Sequence, residues 1–424
     1  MNNGKGFGVH VFFVCVFLVA TTCTCLGVGN IGNITVVCSV QERLTLLRFK
    51  QSVRDEFKIL DHGWVMTVAS RKESSAMFDT PSVSDNVVRL LLRGGYFASE
   101  SYLVGKELDS SLAELMHLKY LDLGDNDFGG SRIPDFIGSL KHLTYLSLSN
   151  ARFQGIIPDH IGNLSNLKVL DLSLNSKLVV EDVSWTFGLS SLEHLDLSSL
   201  NLVGARNLDM VLHMIIPSLK KLSLSCCGLS NADFQNSSRI VSNIEHLDLG
   251  FNSFKGPLPG FLKNMTSLIT FLDLSDFDVS LAWNFANLLN MILSLRELHL
   301  SSCGLHNTFL SSIHLNFSTL SNIQHLDLGD NSIEGMFPSL FTNMSSLKVL
   351  DLSRNSLSSW VPVMPNLLEL DLSFNEFKQI EHVGIWRHCQ LKQLNATSNS
   401  FDKEIIDSPK NKSECSGYAL EILD

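Results

Sequence analysis

Aspartate recurs at Asp122, Asp171, Asp196, Asp248, Asp273, Asp327, Asp351 and Asp371, each time between two leucines. On neighbouring strands, two such carboxylates would stand about 4.8 Å apart, a separation suited to the acid and base of a glycoside hydrolase. A residue type that returns with the motif, with no cleft to close over it, reads better as part of the motif, so no hydrolase site is expected. His194, His246 and His325 form a second phased set. They are two or more recurrences apart, roughly 10 Å at least, too far for one metal ion to bridge. A solvated face or a ligand contact is expected there, and no metal. Gly27-Val28-Gly29-Asn30-Ile31-Gly32 spells a dinucleotide fingerprint, but not between the strand and helix that would place a pyrophosphate. Asp127-Phe128-Gly129 spells a kinase metal motif without its catalytic-loop or lysine-strand companions. G-x-S-x-G, H-E-x-x-H and P-loop motifs do not occur. The chain is therefore expected to be no enzyme and to need no cofactor.

The elements that carry these residues repeat. The block L-x-x-L-x-L-x-x-N-x-F/L occurs at Leu118–Phe128, Leu167–Asn175, Ile244–Phe254, Ile323–Ile333, Leu347–Leu357 and Leu367–Phe377, with weaker copies starting at Leu143, Leu192, Leu219, Leu268, Leu295 and Leu391. The copy at Leu268 reads with one extra residue before Leu272-Asp273-Leu274. A period of about 24 to 28 residues lies in the leucine-rich-repeat range. Each x-L-x-L-x segment predicts a short strand with leucines facing inward and the intervening residues facing solvent. One coil cannot enclose a core, so neighbours must stack into a solenoid. Each buried leucine then contributes roughly 1.5–3 kcal/mol. Phe128, Phe153, Phe254, Phe377 and Phe401 share one phase and predict an aromatic spine.

The asparagine slot needs a second device, because a buried amide must find partners for its donors and acceptor. Asn126, Asn175, Asn252, Asn331, Asn355, Asn375 and Asn399 are expected to form a ladder bonded to the backbone of adjacent coils. Cys227 and Cys303 take the same slot and are expected to point inward and stay reduced. Ala151, Leu200 and Phe277 interrupt the ladder and predict locally irregular coils.

Composition agrees with a repeat protein: 45% hydrophobic and 18% charged residues, with a net charge of -11. No basic block stands out, which argues against a nucleic-acid partner. Val11 to Ala20 is an unbroken apolar run after Lys5, too short to span a bilayer but suited to a signal peptide over residues 1–29. No later stretch reads as a membrane span. Secretion permits disulfides, and Cys389 with Cys415 flanks the last full coil, where a bridge is expected. N-glycosylation sequons stand at Asn33, Asn163, Asn236, Asn264, Asn316, Asn343, Asn395 and Asn411. Asn163, Asn264 and Asn343 share a phase on one rim, whereas Asn395 falls in the aspartate column, where a glycan would crowd the strand face.

Residues after the asparagine slot narrow the class. Gly155-Ile156-Ile157-Pro158, Gly256-Pro257-Leu258-Pro259 and Gly335-Met336-Phe337-Pro338 resemble the G-x-I-P signature of plant extracellular repeats. Cys38, the run Glu42 to Lys50 and Trp64 look like the N-terminal cap of plant receptor-like proteins. The chain resembles the branch of that family that includes fungal-xylanase receptors and disease-resistance proteins. The resemblance implies an α/β-type solenoid, a plant-specific leucine-rich-repeat superhelix with a parallel sheet on its concave face and a helical N-terminal cap. It divides the chain into a signal peptide (1–29), a degenerate cap (30–86) and a solenoid of about twelve coils (87–424). The paired cysteines and Trp-x-Gly-Val of the family cap are missing from residues 65–86. The sequence stops inside a strand motif at Leu420 to Asp424, as expected of a chain truncated before further repeats and a membrane helix.

The resemblance also implies a function: a ligand-binding ectodomain of a cell-surface immune receptor, facing the apoplast. It would recognise microbial proteins or peptides and signal through adaptor and co-receptor kinases. A secreted inhibitor of microbial cell-wall-degrading enzymes is the alternative, and a non-functional truncated product a further one. Specificity is expected where outward residues depart from the repeat, at Tyr120, Tyr145, Lys221, His246, Phe251, Arg296, Glu297, His299, His325 and Phe374. Aromatics and arginine also dominate interface energetics.

Overall fold

A computed structural model of the 424-residue chain describes residues 30–31, 34–35, 37–56, 60, 65–69, 84–95 and 102–424. Within the last range, residues 213–215, 217, 235–242, 265–268, 280–281, 283, 311–320, 339–340, 342–343, 379–387 and 402–418 are excepted. The expected signal peptide and its G-x-G-x-x-G, together with Asn33, Asn236, Asn316, Asn343, Asn411 and Cys415, lie outside the described residues, as do the side chains of Cys38 and Asn264.

Helix α1 (Val40–Ser52) opens the described core. Ser39 caps it by accepting from the Glu42 N–H, a standard way to satisfy a free helix donor. Glu42 in turn accepts the Val87 N–H, tying the helix to the first long strand. Leu46 and Phe49 are buried, and Thr45 and Arg48 bond to Glu114 on the first coil's 3-10 turn.

The concave sheet follows. Its strands are β1 (Ser84–Leu91), β2 (Tyr120–Asp122), β3 (Tyr145–Ser147), β4 (Val169–Asp171), β5 (His194–Asp196), β6 (Lys221–Ser223) and β7 (His246–Asp248). Then come β8 (Phe271–Asp273), β9 (Glu297–His299), β10 (His325–Asp327), β11 (Val349–Asp351), β12 (Glu369–Asp371), β13 (Gln393–Asn395) and β14 (Ile422–Leu423). All pair in parallel with their sequence neighbours, in one 16-stranded sheet completed by Val37–Cys38 and the antiparallel Val65–Ala69. The central leucine of each strand, from Leu121 to Leu394, is buried in register with the next.

Opposite the sheet, coils turn through 3-10 segments such as Asp135–Ser139, Asp159–Asn163 and Ser184–Gly188. Here glycine is dictated by contact: a Cβ on Gly162 would stand 2.5 Å from the Trp185 carbonyl oxygen. The aromatic spine forms in two short stretches, Phe128–Phe153 and Phe234–Phe254–Phe277, with Phe377 buried and Phe401 half-buried further along. Phe128 and Phe153 stack at 5.2 Å, both fully buried, and Phe254 packs beside Phe277 at 6.1 Å.

The asparagine ladder has a full bonding scheme. Asn175 donates to the carbonyls of Leu148, Leu172 and Ser173 and accepts the N–H groups of Ala151 and Phe153. Asn126, Asn252, Asn331, Asn355, Asn375 and Asn399 likewise donate to one carbonyl of the preceding coil and two of their own, and each accepts at least one N–H. Cys227 and Cys303 are free thiols that reproduce the donor half: Cys227 reaches Leu197 and Ser225 carbonyls at 3.2 and 3.4 Å.

One expectation is narrowed and one corrected. Ala151, Leu200 and Phe277 leave the sheet in register, and the departures they bring are confined to local bonding, the N–H groups of Leu200 and Phe277 turning back to Leu197 and Leu274 of their own coils at 3.1 Å. At Ala151, the slot's own carbonyl accepts the Phe128 N–H at 3.1 Å, and the carbonyls of Cys227 and Cys303 do the same for Leu202 and Val279. The backbone thus replaces the missing amide oxygen. The coil read from Leu268 contains no extra residue either: Ile269, fully buried, takes the leucine slot three residues before Leu272.

Candidate ligand-binding face

The aspartate between the leucines serves its own backbone. In all eight copies Oδ1 accepts the N–H two residues on, at 2.8–3.1 Å, which caps the strand end. The chain then turns a corner through a left-handed residue directly before the ladder slot, in twelve coils from Asp125 (φ 56) to Ser398 (φ 56). None of the twelve is β-branched, as expected where such side chains are most strained. Phe251, Phe374 and Leu174 occupy this corner and are about half exposed.

Two columns face outward beyond the backbone. Tyr120, Tyr145, Lys221, His246, Glu297 and His325 stand in the first; His299 stands in the second with the aspartates. Arg296 precedes β9 on its exposed flank. Along the face, most of the expected residues gather in three places.

At the N-terminal end, Tyr120 and Tyr145 stack with ring centres 3.9 Å apart, and Arg89 lies over Tyr120 at 4.6 Å. Arg93 sits beside them, a residue that sequence reasoning missed. It bonds to Asp122, Asp125, Ser147 and Ser149 at 2.7–3.2 Å and approaches Asp171 to 3.8 Å. Burial opposes its charge, but Asp122 and then Asp125 outweigh burial and hold its pKa above the ordinary value.

The central group lies on β6 to β10. Lys221 is in register with His246. His246 stacks on Phe271 at 3.7 Å, Phe271 tilts against His299 at 5.1 Å, and His299 against His325 at 4.8 Å. Glu297 lies 3.3 Å from His325, and Asp327 3.6 Å from His299. Burial, and then Lys221, push His246 down to about 4. Burial also works against His299, yet the bond to Asp327 and the charges of Asp273 and Asp327 raise it. Burial, followed by the neighbouring carboxylates, pushes Asp196 up to about 6 and Asp248 up to about 7. Among the described residues no group of three or more His, Cys, Asp or Glu is arranged to hold a metal ion. Phe271 is the second residue missed; its place directly before Leu272, in the phase of His246, is the signal that marks it.

Towards the C-terminal end Phe374 carries Arg354 over its ring at 4.5 Å. Phe251 is about half exposed at the corner after β7, with its N–H donating to the Ser275 carbonyl. Asn163 is exposed at the end of a 3-10 turn. Asn395 is half-buried, with its amide donating to Asp371 and accepting from Thr397. Cys389 is disulfide-bonded. Among the described residues no helix is long and apolar enough to cross a membrane.

Comparison with known proteins agrees with this architecture. Family models described as leucine rich repeat match residues 141–203 and 293–357, and related ones match 114–131 and 243–265. Receptor-like protein EIX1 of Solanum lycopersicum is 35% identical over 329 residues, covering 74% of this chain and 28% of that protein. Receptor-like protein EIX2 of the same plant is 31% identical over 388 residues, covering 86% and 34%. The chain therefore spans about a third of the length of these relatives. Among solved structures, PEPR1 in complex with AtPEP1 is 22% identical with a TM-score of 0.43, over 84% of this chain and 48% of that one. Motif, fold and relatives agree: the chain belongs to the leucine-rich-repeat proteins of the plant receptor-like type.

Proposed function

We propose that the chain is a ligand-binding region of a plant cell-surface immune receptor-like protein, taking a microbial protein or peptide on its concave face. One observation carries the reading. The outward columns run in unbroken register from β2 to β13, and among the described residues no element packs over them. Their departures from the repeat gather into local groups of aromatic and charged side chains, the types that anchor protein interfaces. The similarity to EIX1 and EIX2 supports the receptor class. In the longer receptor, partner adaptor and co-receptor kinases would transmit the signal, and the exposed Asn163 would carry a glycan on the extracellular side.

The test is Phe251→Ala and Arg296→Ala, separately and together, in a complete receptor containing this region. Both side chains are exposed, so secretion should stay normal while capture of the native ligand falls by about tenfold or more for an anchor residue. Undiminished capture by both variants would overturn the concave-face reading.

A further inference from the structure

From β7 to β10 the face of the sheet is built unlike the rest. His246, Phe271, His299 and His325 form one continuous row of rings. Because the rings lie against one another, the row is a ridge that offers apolar contact along its length. Asp248 and Asp273 stand beside it on adjacent strands. Each spends Oδ1 on its own turn, at 3.0 Å to Gly250 and 2.8 Å to Ser275.

At three other aspartates of the column the second carboxylate oxygen is occupied. Arg93 takes it at Asp122, Ser147 at Asp171 and Asn395 at Asp371. Asp196 and Asp351 leave theirs open but have no row of rings beside them. Among the described residues no side chain donates to Asp248 or Asp273 at that oxygen; the titrating group facing them is His299, in register with Asp273 and raised in part by its charge. No Lys or Arg stands in either outward column between β7 and β10. His246, held neutral by burial and by Lys221, supplies no charge near neutral pH.

We propose that β7 to β10 receive a basic segment of the ligand, a Lys or Arg side chain laying its stem along the ring ridge and its charged head against Asp248 and Asp273. The proposal rests on concave-face recognition and adds the chemistry of the recognised segment. Charge complementarity selects this occupant. An acidic segment would meet Asp248, Asp273, Glu297 and Asp327 together. A wholly apolar one would desolvate carboxylates without pairing them. A long basic side chain satisfies both the ridge and the carboxylates, its charge favouring the ionised form of Asp248 that burial and Asp273 oppose.

The experiment is a fluorescence titration of the whole chain with labelled hexa-arginine, hexa-glutamate and a neutral Gly–Ser peptide at fixed ionic strength. The arginine peptide should bind and the other two should not. Asp248→Asn with Asp273→Asn should weaken it about tenfold, the scale of losing a charge-assisted pair. Asparagine keeps the strand-end acceptor, as Asn395 does for Thr397 in the same column, so folding should survive. Phe271→Ala should weaken binding independently of charge. Asp135→Asn with Glu181→Gln removes two carboxylates at exposed positions outside the face and should leave binding within about twofold. Equal weakening by both pairs would reduce the effect to the general field of a chain of net charge -11 and overturn the proposal, as would unchanged binding by the central pair or binding of the acidic peptide. Concave-face recognition itself falls on the Phe251 and Arg296 variants, so the two readings fail separately.

Discussion

At the scale of single residues, position in the repeat decides what a polar group is for. Asn175 satisfies five backbone partners from one buried slot. Asn175→Ala should cost about 3 kcal/mol, since buried donors and acceptors are left unpaired. Asn175→Cys should cost about half as much, because a thiol in that slot keeps two carbonyl contacts, as Cys227 does. Urea unfolding of the three proteins checks the order; equal losses would refute the donor role of the thiol. Asp248 shows the reverse balance. Burial, and then Asp273, raise it from the ordinary 3.8 to about 7. A raised carboxyl is favourable while protonated, and that advantage is lost as pH rises through the folded value. Asp248→Asn should therefore stabilise the protein above about pH 7, by on the order of 1 kcal/mol after solvent screening, and change little near pH 4. Urea midpoints at the two pH values decide, and an equal change at both would count against the shift.

At the scale of the element, the strand and its leucines were readable because period-two alternation and burial are the same fact. The corner after each strand was not. Its left-handed residue is Asp, Asn, Leu, Ser, Cys, Phe or Arg in different coils, so no residue type announces it; the demand falls on the backbone, not the side chain. Phe271 was missed for a different reason: Ile269 fits the spacing to Leu272 and Leu268 does so only with an extra residue, and the preference for leucine over spacing drew attention away from this coil. Arg93 lies just past β1, ahead of the strong copies, so its reach across three strands had no pattern to reveal it. One element also carries a covalent expectation. Cys389 is disulfide-bonded, and the chain just beyond Cys415 returns to it, with the Ala419 N–H donating to the Cys389 carbonyl. Cys415 is the expected partner, in a loop of about 26 residues contributing roughly 3 kcal/mol in the chain-entropy model. Non-reducing peptide mapping should recover the two cysteines in one cross-linked peptide. Recovery of both as separate alkylated peptides would refute the pairing.

At the scale of the whole molecule, each coil touches little beyond the coils before and after it, in the sheet, the ladder and the spine alike. Solenoid architecture was therefore legible from the repeat alone, whereas the grouping of outward side chains depended on which coils happen to be adjacent. The same connectivity governs what would happen under tension. A globular core resists pulling as a unit, but a stack held by nearest neighbours can be unwound one layer at a time from an end. Each layer of about 25 residues would release roughly 80 Å of extended chain, giving a staircase of short, similar steps in place of one large rupture. The layer closed by the Cys389 disulfide would yield a visibly shorter tread. That staircase is a way for the chain to lengthen without losing the coils that remain stacked.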